Sequence, residues 1–213
     1  MLFRSLLGAP GAGKGTQAEL LSEKLSIPAI STGNMLREAM ANGTNLGQKI
    51  KKLMDEGSLV PDDVILDIVA ERVARDDCTK GFILDGVPRT LAQAEALEAR
   101  KIRIDHVISL EIDDTAIEGR MTGRRVCSHC GVSYHLVANP PKTEGTCDQC
   151  GSPLVTRKDD APETVRHRLE VYHQLTEPLK DFYLKREKLR LIAAEGAIEG
   201  VQREILSAIG ESV

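Results

Sequence analysis

The residues with the most chemical content stand near the start of the chain. There Gly8-Ala9-Pro10-Gly11-Ala12-Gly13-Lys14-Gly15-Thr16 joins an apolar run to the helical run 17–25. Small residues let successive backbone N–H groups curl around phosphate oxygens, and the helix that follows turns its positive end toward them. Lys14 adds a mobile cation for the outer phosphates, and Thr16 supplies a hydroxyl for Mg²⁺ or phosphate. The spacing from Gly8 through Gly13 to Lys14 is that of a phosphate-binding loop, or P-loop. The hydroxyl comes one residue late because Gly15 holds the usual Ser or Thr position. A plain glycine-rich turn is the competing reading, and the strand-loop-helix context weighs against it. Asp85 ends the apolar run Phe82-Ile83-Leu84. A carboxylate at the C-terminal end of a parallel strand lies where ligands of open α/β sheets bind, and it can hold a water of a Mg²⁺ shell. Turn or cap formation is the commoner use of a lone Asp, so Asp85 gains weight only beside the P-loop.

Cys127-x-x-Cys130 and Cys147-x-x-Cys150 are separated by 16 residues, a spacing that lets two knuckles converge on one tetrahedral zinc ion. Gly131 and Gly151 follow the two pairs, where a tight turn is needed. Four thiolates close the coordination sphere, so the expected Zn²⁺ is structural and leaves no position for catalysis. Another thiophilic metal satisfies the same ligands. His129, between two ligands, is expected to point outward. The fifth cysteine, Cys78, reads as a small packing residue.

These groups need elements to carry them. Residues 2–7, 81–85, 106–112 and 189–193 read as short buried strands, with a shorter one at 29–31. Between them run amphipathic stretches such as Val64, Ile65, Ile68, Val69 and Val73, started by Pro61 and Asp62. Alternating strands and helices predict an α/β fold with a five-stranded parallel sheet covered by helices. Two stretches break the rhythm: 32–60 is helical without a strand, and 123–160 concentrates Gly, Pro and the four paired cysteines. Both read as insertions over the binding edge of the sheet. Arg4 and Ser5 are out of place in an apolar first strand. With 213 residues, 41% of them hydrophobic, the chain fits one body with insertions. Its net charge of −4 leaves no global basic field for nucleic acid or anionic membrane, so any phosphate site is local. No apolar run spans a membrane and the start does not read as a secretory signal, which sets the expectation of a cytoplasmic protein.

From about residue 2 to the C-terminus the sequence resembles the adenylate kinase family in its long form. The loop 8–16 with Pro10 and Gly15 is similar to that family's version and accounts for the late hydroxyl. Ser31-Thr32-Gly33-Asn34-Met35-Leu36-Arg37 is similar to its AMP-site stretch, and Asp85-Gly86-Val87-Pro88-Arg89-Thr90 with Gln93 to its second AMP segment. Gly123-Arg124-Arg125 resembles the opening of the family's lid, and Thr156-Arg157-Lys158-Asp159-Asp160 its close, with Arg168 beyond. The resemblance implies a P-loop kinase whose core is 1–30, 61–122 and 161–213, with an AMP-binding insertion at 31–60 and a zinc-binding lid at 123–160. It implies ATP contacts from Gly11, Ala12, Gly13, Lys14, Gly15, Thr16, Arg120, Arg124, Ser133, Tyr134 and Ile198. It implies AMP contacts from Thr32, Arg37, Ser58, Leu59, Val60, Gly86, Val87, Pro88, Arg89, Gln93, Arg157 and Arg168. Two departures stand out. Asn34 replaces the usual Asp, which reads as an adjusted helix cap, and Val87 replaces an aromatic residue that would pack near AMP.

Phosphoryl transfer spreads charge over the equatorial oxygens, so positioned cations matter more than a base, and an AMP phosphate oxygen is already an anion. Lys14, Arg89, Arg124, Arg157 and Arg168 are therefore the expected catalytic set. By resemblance Arg37 and Arg89 hold the AMP phosphate, Arg124 holds the ATP phosphates, Arg157 and Arg168 bridge the two, and Arg120 lies over the ATP base. Thr32 and Gln93 can match the edge of adenine, and Tyr134 and His135 lie where they can touch ATP. The expected reaction makes two ADP from Mg-ATP and AMP in a monomer that binds neither nucleic acid nor membrane. The alternatives are a CMP/UMP kinase of the same fold, a zinc-ribbon nucleic-acid-binding ATPase, and a catalytically silent zinc-bound regulator.

Overall fold

The computed structural model describes residues 2–211, with side chains from Arg4 onward. β1 (Leu2–Gly8) lies at the centre of a parallel sheet with β2 (Ala29–Ser31), β3 (Gly81–Asp85), β4 (His106–Glu111) and β8 (Leu189–Ala193), in the order β2-β3-β1-β4-β8. All five strands fall where the apolar runs put them; β1 runs one residue further than expected and β4 stops one residue earlier. The chain lays β2 and β3 on one side of β1 and β4 and β8 on the other. This reversal opens a crevice at the carboxyl end of β1, where the P-loop begins.

Alternation along each strand feeds two cores. Leu7, Leu84 and Val107 pack on one face, against α4 (Asp62–Val73), α5 (Leu91–Ala99) and α8 (Leu179–Leu184). Leu6, Ile83 and Ile108 pack on the other, against α1 (Lys14–Leu25) and α9 (Ile198–Ala208). Ile83 and Ile108 have no exposed surface, and truncating either to Ala costs about 2–5 kcal/mol. A third cluster sits behind the P-loop, where Ala9 meets Ile117 and Met121 of α6 (Asp114–Gly123) and Val165 and Leu169 of α7 (Pro162–Val171). Beyond α7 the helix widens for one π turn, Tyr172–Thr176, which brings Thr176 Oγ1 within 2.8 Å of the Arg89 carbonyl.

The two insertions differ in kind. Residues 32–60 hold α2 (Thr32–Ala41) and α3 (Asn45–Asp55), with Leu36 and Ile50 buried in the main core. Residues 123–160 form a small antiparallel sheet, β5 (Arg124–Cys127) between β6 (Ser133–His135) and β7 (Leu154–Val155).

The two polar residues of β1 have structural partners. The Arg4 side chain is fully buried and donates from Nη2 to Glu211 Oε1 at 2.9 Å, while Ser5 Oγ donates to the Val87 carbonyl at 2.8 Å. Cys78 is buried in the main core, with Arg72 Nη1 3.1 Å from its sulfur. No helix among the described residues is long and apolar enough to cross a membrane.

Candidate active site

The P-loop leaves β1 at Gly8, whose φ of +137° excludes other residues; a Cβ there would sit 2.8 Å from the Leu110 carbonyl oxygen. At the other end Gly13 caps α1 at φ +99°. Lys14 turns its ammonium back onto the loop, donating to the carbonyls of Gly8 at 2.7 Å and Ala9 at 2.8 Å. The protein packed around this ammonium pushes its pKa down to about 7. Asp85 opposes the shift, and Arg89, Arg168 and Arg124 add to it.

A cavity of about 480 Å³ opens above the loop. It collects every residue expected at the ATP site: Gly11 to Thr16, Arg120, Arg124, Ser133, Tyr134 and Ile198. A second cavity of about 60 Å³ lies under α2 and α3, lined by Thr32, Arg37, Ser58, Leu59, Val60, Gly86, Arg89, Gln93 and Arg168 among others. Arg37, Arg89 and Arg168 line both. The three guanidiniums thus stand on the boundary between a larger and a smaller compartment.

Three of the residues expected at the AMP site are placed otherwise. Val87 has no exposed surface and packs in the main core, two residues past the end of β3. Pro88 lines a small neighbouring cavity with Lys14 and Arg89. Arg157 reaches into the larger cavity, not the smaller one. Gln93 is buried and largely committed within the protein. Its Oε1 accepts from Arg89 N at 2.7 Å and its Nε2 donates to Asp62 at 2.7 Å. Thr32 Oγ1 donates to the Gly86 carbonyl at 3.2 Å. Tyr134 turns its hydroxyl away from the cavity, accepting from Asp148 N at 2.8 Å. Asn34 does not cap α2, since Ser31 holds that position; its Oδ1 accepts from Arg37 Nη2 at 2.7 Å.

Two aspartates at the end of the cysteine unit position the arginines. Arg124 forms a bidentate pair with Asp160, and Arg168 Nη1 donates to Asp159 Oδ2 at 2.8 Å. In the sequence these two acids stand only as part of the stretch 156–160 that resembles the close of the lid, with no role of their own, yet the Asp160 carboxylate has no exposure. Burial lowers the Arg157 guanidinium to about 9 and Arg168 to about 10, with neighbouring arginines contributing to both shifts. Cations crowded this way, one of them with a buried and unpartnered Nε on Arg157, suit a polyanion. Glu19 also faces this cavity, and burial, Asp85 and Glu23 push its carboxyl up to about 7. It lies one helical turn after Thr16 on the same face of α1, the signal that could have found it.

The cysteines form two matching knuckles. Gly131 N donates to the Cys127 carbonyl and Gly151 N to the Cys147 carbonyl, with φ of +76° and +73° at the glycines. All four Sγ lie within 4.8 Å of one another, with Cys127 to Cys150 at 3.4 Å and Cys130 to Cys147 at 3.5 Å. Zn–S bonds of ~2.3 Å in a tetrahedron set S···S near about 3.8 Å, so the cluster fits the ion. The N–H groups of His129 and Cys130, each 3.4 Å from Cys127 Sγ, suit a thiolate there. His129 is exposed and outside the cluster.

The adenylate kinase family model matches residues 6–188. The chain belongs to the adenylate kinase family. Named adenylate kinases match nearly its whole length. That of Trichlorobacter lovleyi is 55% identical over 97% of this chain and 98% of its own. That of Archaeoglobus fulgidus is 54% identical over 93% and 94%, and that of Caldicellulosiruptor bescii 51% over 96% and 97%. As a member of this family the chain is a nucleoside monophosphate kinase, an ATP:AMP phosphotransferase.

Proposed function

We propose that the larger cavity takes Mg-ATP, the smaller one takes AMP, and the terminal phosphoryl group passes between them at Arg37, Arg89 and Arg168 to give two ADP. The observation carrying this assignment is that these three guanidiniums line both cavities. A transferring phosphoryl group shares its charge between donor and acceptor, so cations on the boundary stabilise it more than either ground state. Gly11 to Thr16 wrap the ATP phosphates, Lys14 leaves the loop carbonyls for a phosphate oxygen, and Asp85 holds a water of the Mg²⁺ shell. Arg120, held by the Ala194 carbonyl at 2.6 Å, lies against the ATP base with Ser133, Tyr134 and Ile198 around it. Thr32, Ser58, Leu59, Val60, Gly86 and Gln93 frame AMP, with the backbone at Val87 and Pro88 behind them. Arg157 approaches from the ATP side.

On this reading 1–30, 61–122 and 161–213 are the core, 31–60 the AMP-binding insertion and 123–160 the lid. Cys127, Cys130, Cys147 and Cys150 hold one structural Zn²⁺, which supplies cross-linking and no chemistry of the transfer. Closing the lid excludes water and limits ATP hydrolysis. Both cavities are lined by one chain, which supports a monomer, and the acidic balance supports an enzyme without nucleic-acid or membrane partners, expected in the cytoplasm.

The test is ADP formation from Mg-ATP offered AMP, CMP, UMP, GMP or water alone, with products resolved chromatographically. Two ADP per AMP-dependent turnover is the expected result. Preference for CMP or UMP would overturn the assignment of Thr32 and Gln93 to adenine, and hydrolysis alone would overturn transfer.

A further inference from the structure

Tyr134 belongs to two sites at once. It lies in β6 opposite Arg125 of β5, lines the larger cavity, and packs with Cys127 and Cys147 in the small apolar cluster of the cysteine unit. Only 6% of the residue is exposed, so it stands as a partition between the cavity and the sulfurs.

Its hydroxyl reaches the sulfur side. The oxygen accepts from Asp148 N at 2.8 Å, and Cys147 Sγ lies 3.6 Å away, within range of a hydrogen bond to sulfur. A phenol has a single proton to give. With a backbone N–H already on the oxygen, that proton is free for the sulfur. Cysteines that hold a metal are thiolates, and four of them around one divalent ion leave a net negative charge, so a donor to any of them is favourable. Asp148 directly follows Cys147, so the N–H that orients the hydroxyl comes from the knuckle of the ligand itself. Both partners of the phenol are therefore set by the chain around the four sulfurs, while its residue forms part of the cavity wall.

We propose that Tyr134 is a positioning residue that links the metal site to the nucleotide: its hydroxyl donates to the Cys147 thiolate, and a nucleotide in the larger cavity packs on the residue and keeps the hydroxyl there. The proposal rests on the assignment of ATP to that cavity. Bound nucleotide then raises metal affinity, and bound metal raises nucleotide affinity by the same factor.

The experiment compares wild type, Tyr134→Phe and Leu154→Ala, each loaded with Zn²⁺ or Co²⁺. Tyr134→Phe keeps the ring and removes the hydroxyl, whereas Leu154→Ala loosens the same cluster and leaves the hydroxyl in place. Metal affinity is read by competition with a tight chromophoric chelator, with and without ATP in excess Mg²⁺, and the sulfur environment by the thiolate-to-cobalt absorption band. Tyr134→Phe is expected to lower metal affinity about tenfold and to move the band to lower energy, since a sulfur freed of a hydrogen bond gives up electron density more readily. ATP should raise the metal affinity of wild type about fivefold and that of Tyr134→Phe much less. Leu154→Ala should lower the melting temperature and keep both the band position and the gain from ATP. An unchanged band and affinity in Tyr134→Phe, or an equal band shift in Leu154→Ala, overturns the hydrogen bond to Cys147. A gain from ATP that survives in Tyr134→Phe overturns the link, and so does a wild-type metal affinity that bound ATP leaves unchanged, an outcome that needs no variant. A wild type that fails to bind ATP in calorimetry would strike at the assignment of the cavity, and the cobalt spectrum would still decide the part played by the hydroxyl.

Discussion

The cleft and the cysteine unit are stabilised by different means. The cleft gathers Lys14 and six arginines on one set of walls, above apolar clusters that cover both faces of a five-stranded sheet. Its charges add little to stability: burial pushes Lys14, Arg37, Arg89, Arg157 and Arg168 down, so each is held at some cost that the core beneath offsets. The cysteine unit has almost no core. Cys127, Tyr134 and Cys147 pack together with only Val132 and Leu154 against them, and its most exposed large apolar side chain, Val137, is 84% accessible. A unit of this size needs a cross-link to stay folded, and four converging sulfurs supply the place for one. One region draws on the hydrophobic effect to hold charges ready for a ligand, while the other offers four sulfurs through which the proposed metal would hold its shape.

The largest effect that would test this contrast is at Lys14. Lys14→Ala should cut kcat/KM by about a thousandfold or more while circular dichroism and melting temperature stay near wild type, since the ammonium is a cost to the fold and a gain to the reaction. A variant with wild-type rates would remove the P-loop from the mechanism.

The converse substitution lies in the other region. Cys147→Ser, or removal of metal by a chelator, should lower the melting temperature by roughly 10 °C or more, yet change the initial rate in the cold by only about two- to threefold. Parallel loss of rate and stability would place the metal in the chemistry.

A subtler consequence concerns protons. Lys14 titrates near 7 in the free protein against 10.5 for an ordinary Lys, and a phosphate oxygen beside it raises that value again. Between those limits nucleotide binding takes up protons, approaching one per ATP at about pH 8.5, and affinity falls as pH rises. Calorimetric heats in buffers of different ionisation enthalpy would read this directly, and buffer-independent heats would contradict it. For the protein alone the sign is opposite: the unfolded chain binds the extra proton, so this group makes folding more favourable as pH rises through the window.

The smallest effect is expected at the ends of α6 and α7 remote from the cysteine unit. His173 bridges Asp114 at the start of α6, 3.0 Å from Nε2, and Glu177, 2.8 Å from Nδ1, with the Tyr172 ring at its edge and Lys180 beside Glu177. The hydrogen bonds to Glu177 and then Asp114 raise the imidazole pKa, so its contribution is full below the ordinary value near 6.5 and is lost as pH rises through the folded value. His173→Gln should lower the melting temperature by about 1–3 °C at pH 6 and by nothing measurable at pH 9.

Much of this was legible in the chain itself. The strand 81–85 could be read because Phe82, Ile83 and Leu84 are apolar in succession, as a strand buried on both faces must be. The P-loop could be read because its glycines, lysine and flanking runs answer to local backbone geometry, and the zinc knuckles because ligand spacing is a local property of a turn. Arg4 could not be explained in the same way. Its partner, Glu211, lies 207 residues further on, and no local pattern records such a pairing.

The sequence by itself determined the order of strands and helices, the phosphate loop and the four sulfur ligands, since each is set by periodicity or by spacing within a few residues. Only the tertiary structure decided which arginines stand between the two cavities, that Asp159 and Asp160 aim Arg168 and Arg124, and that Val87 belongs to the core. Those facts depend on side chains brought together from distant segments, and the packing energy that selects their arrangement is summed over the whole molecule.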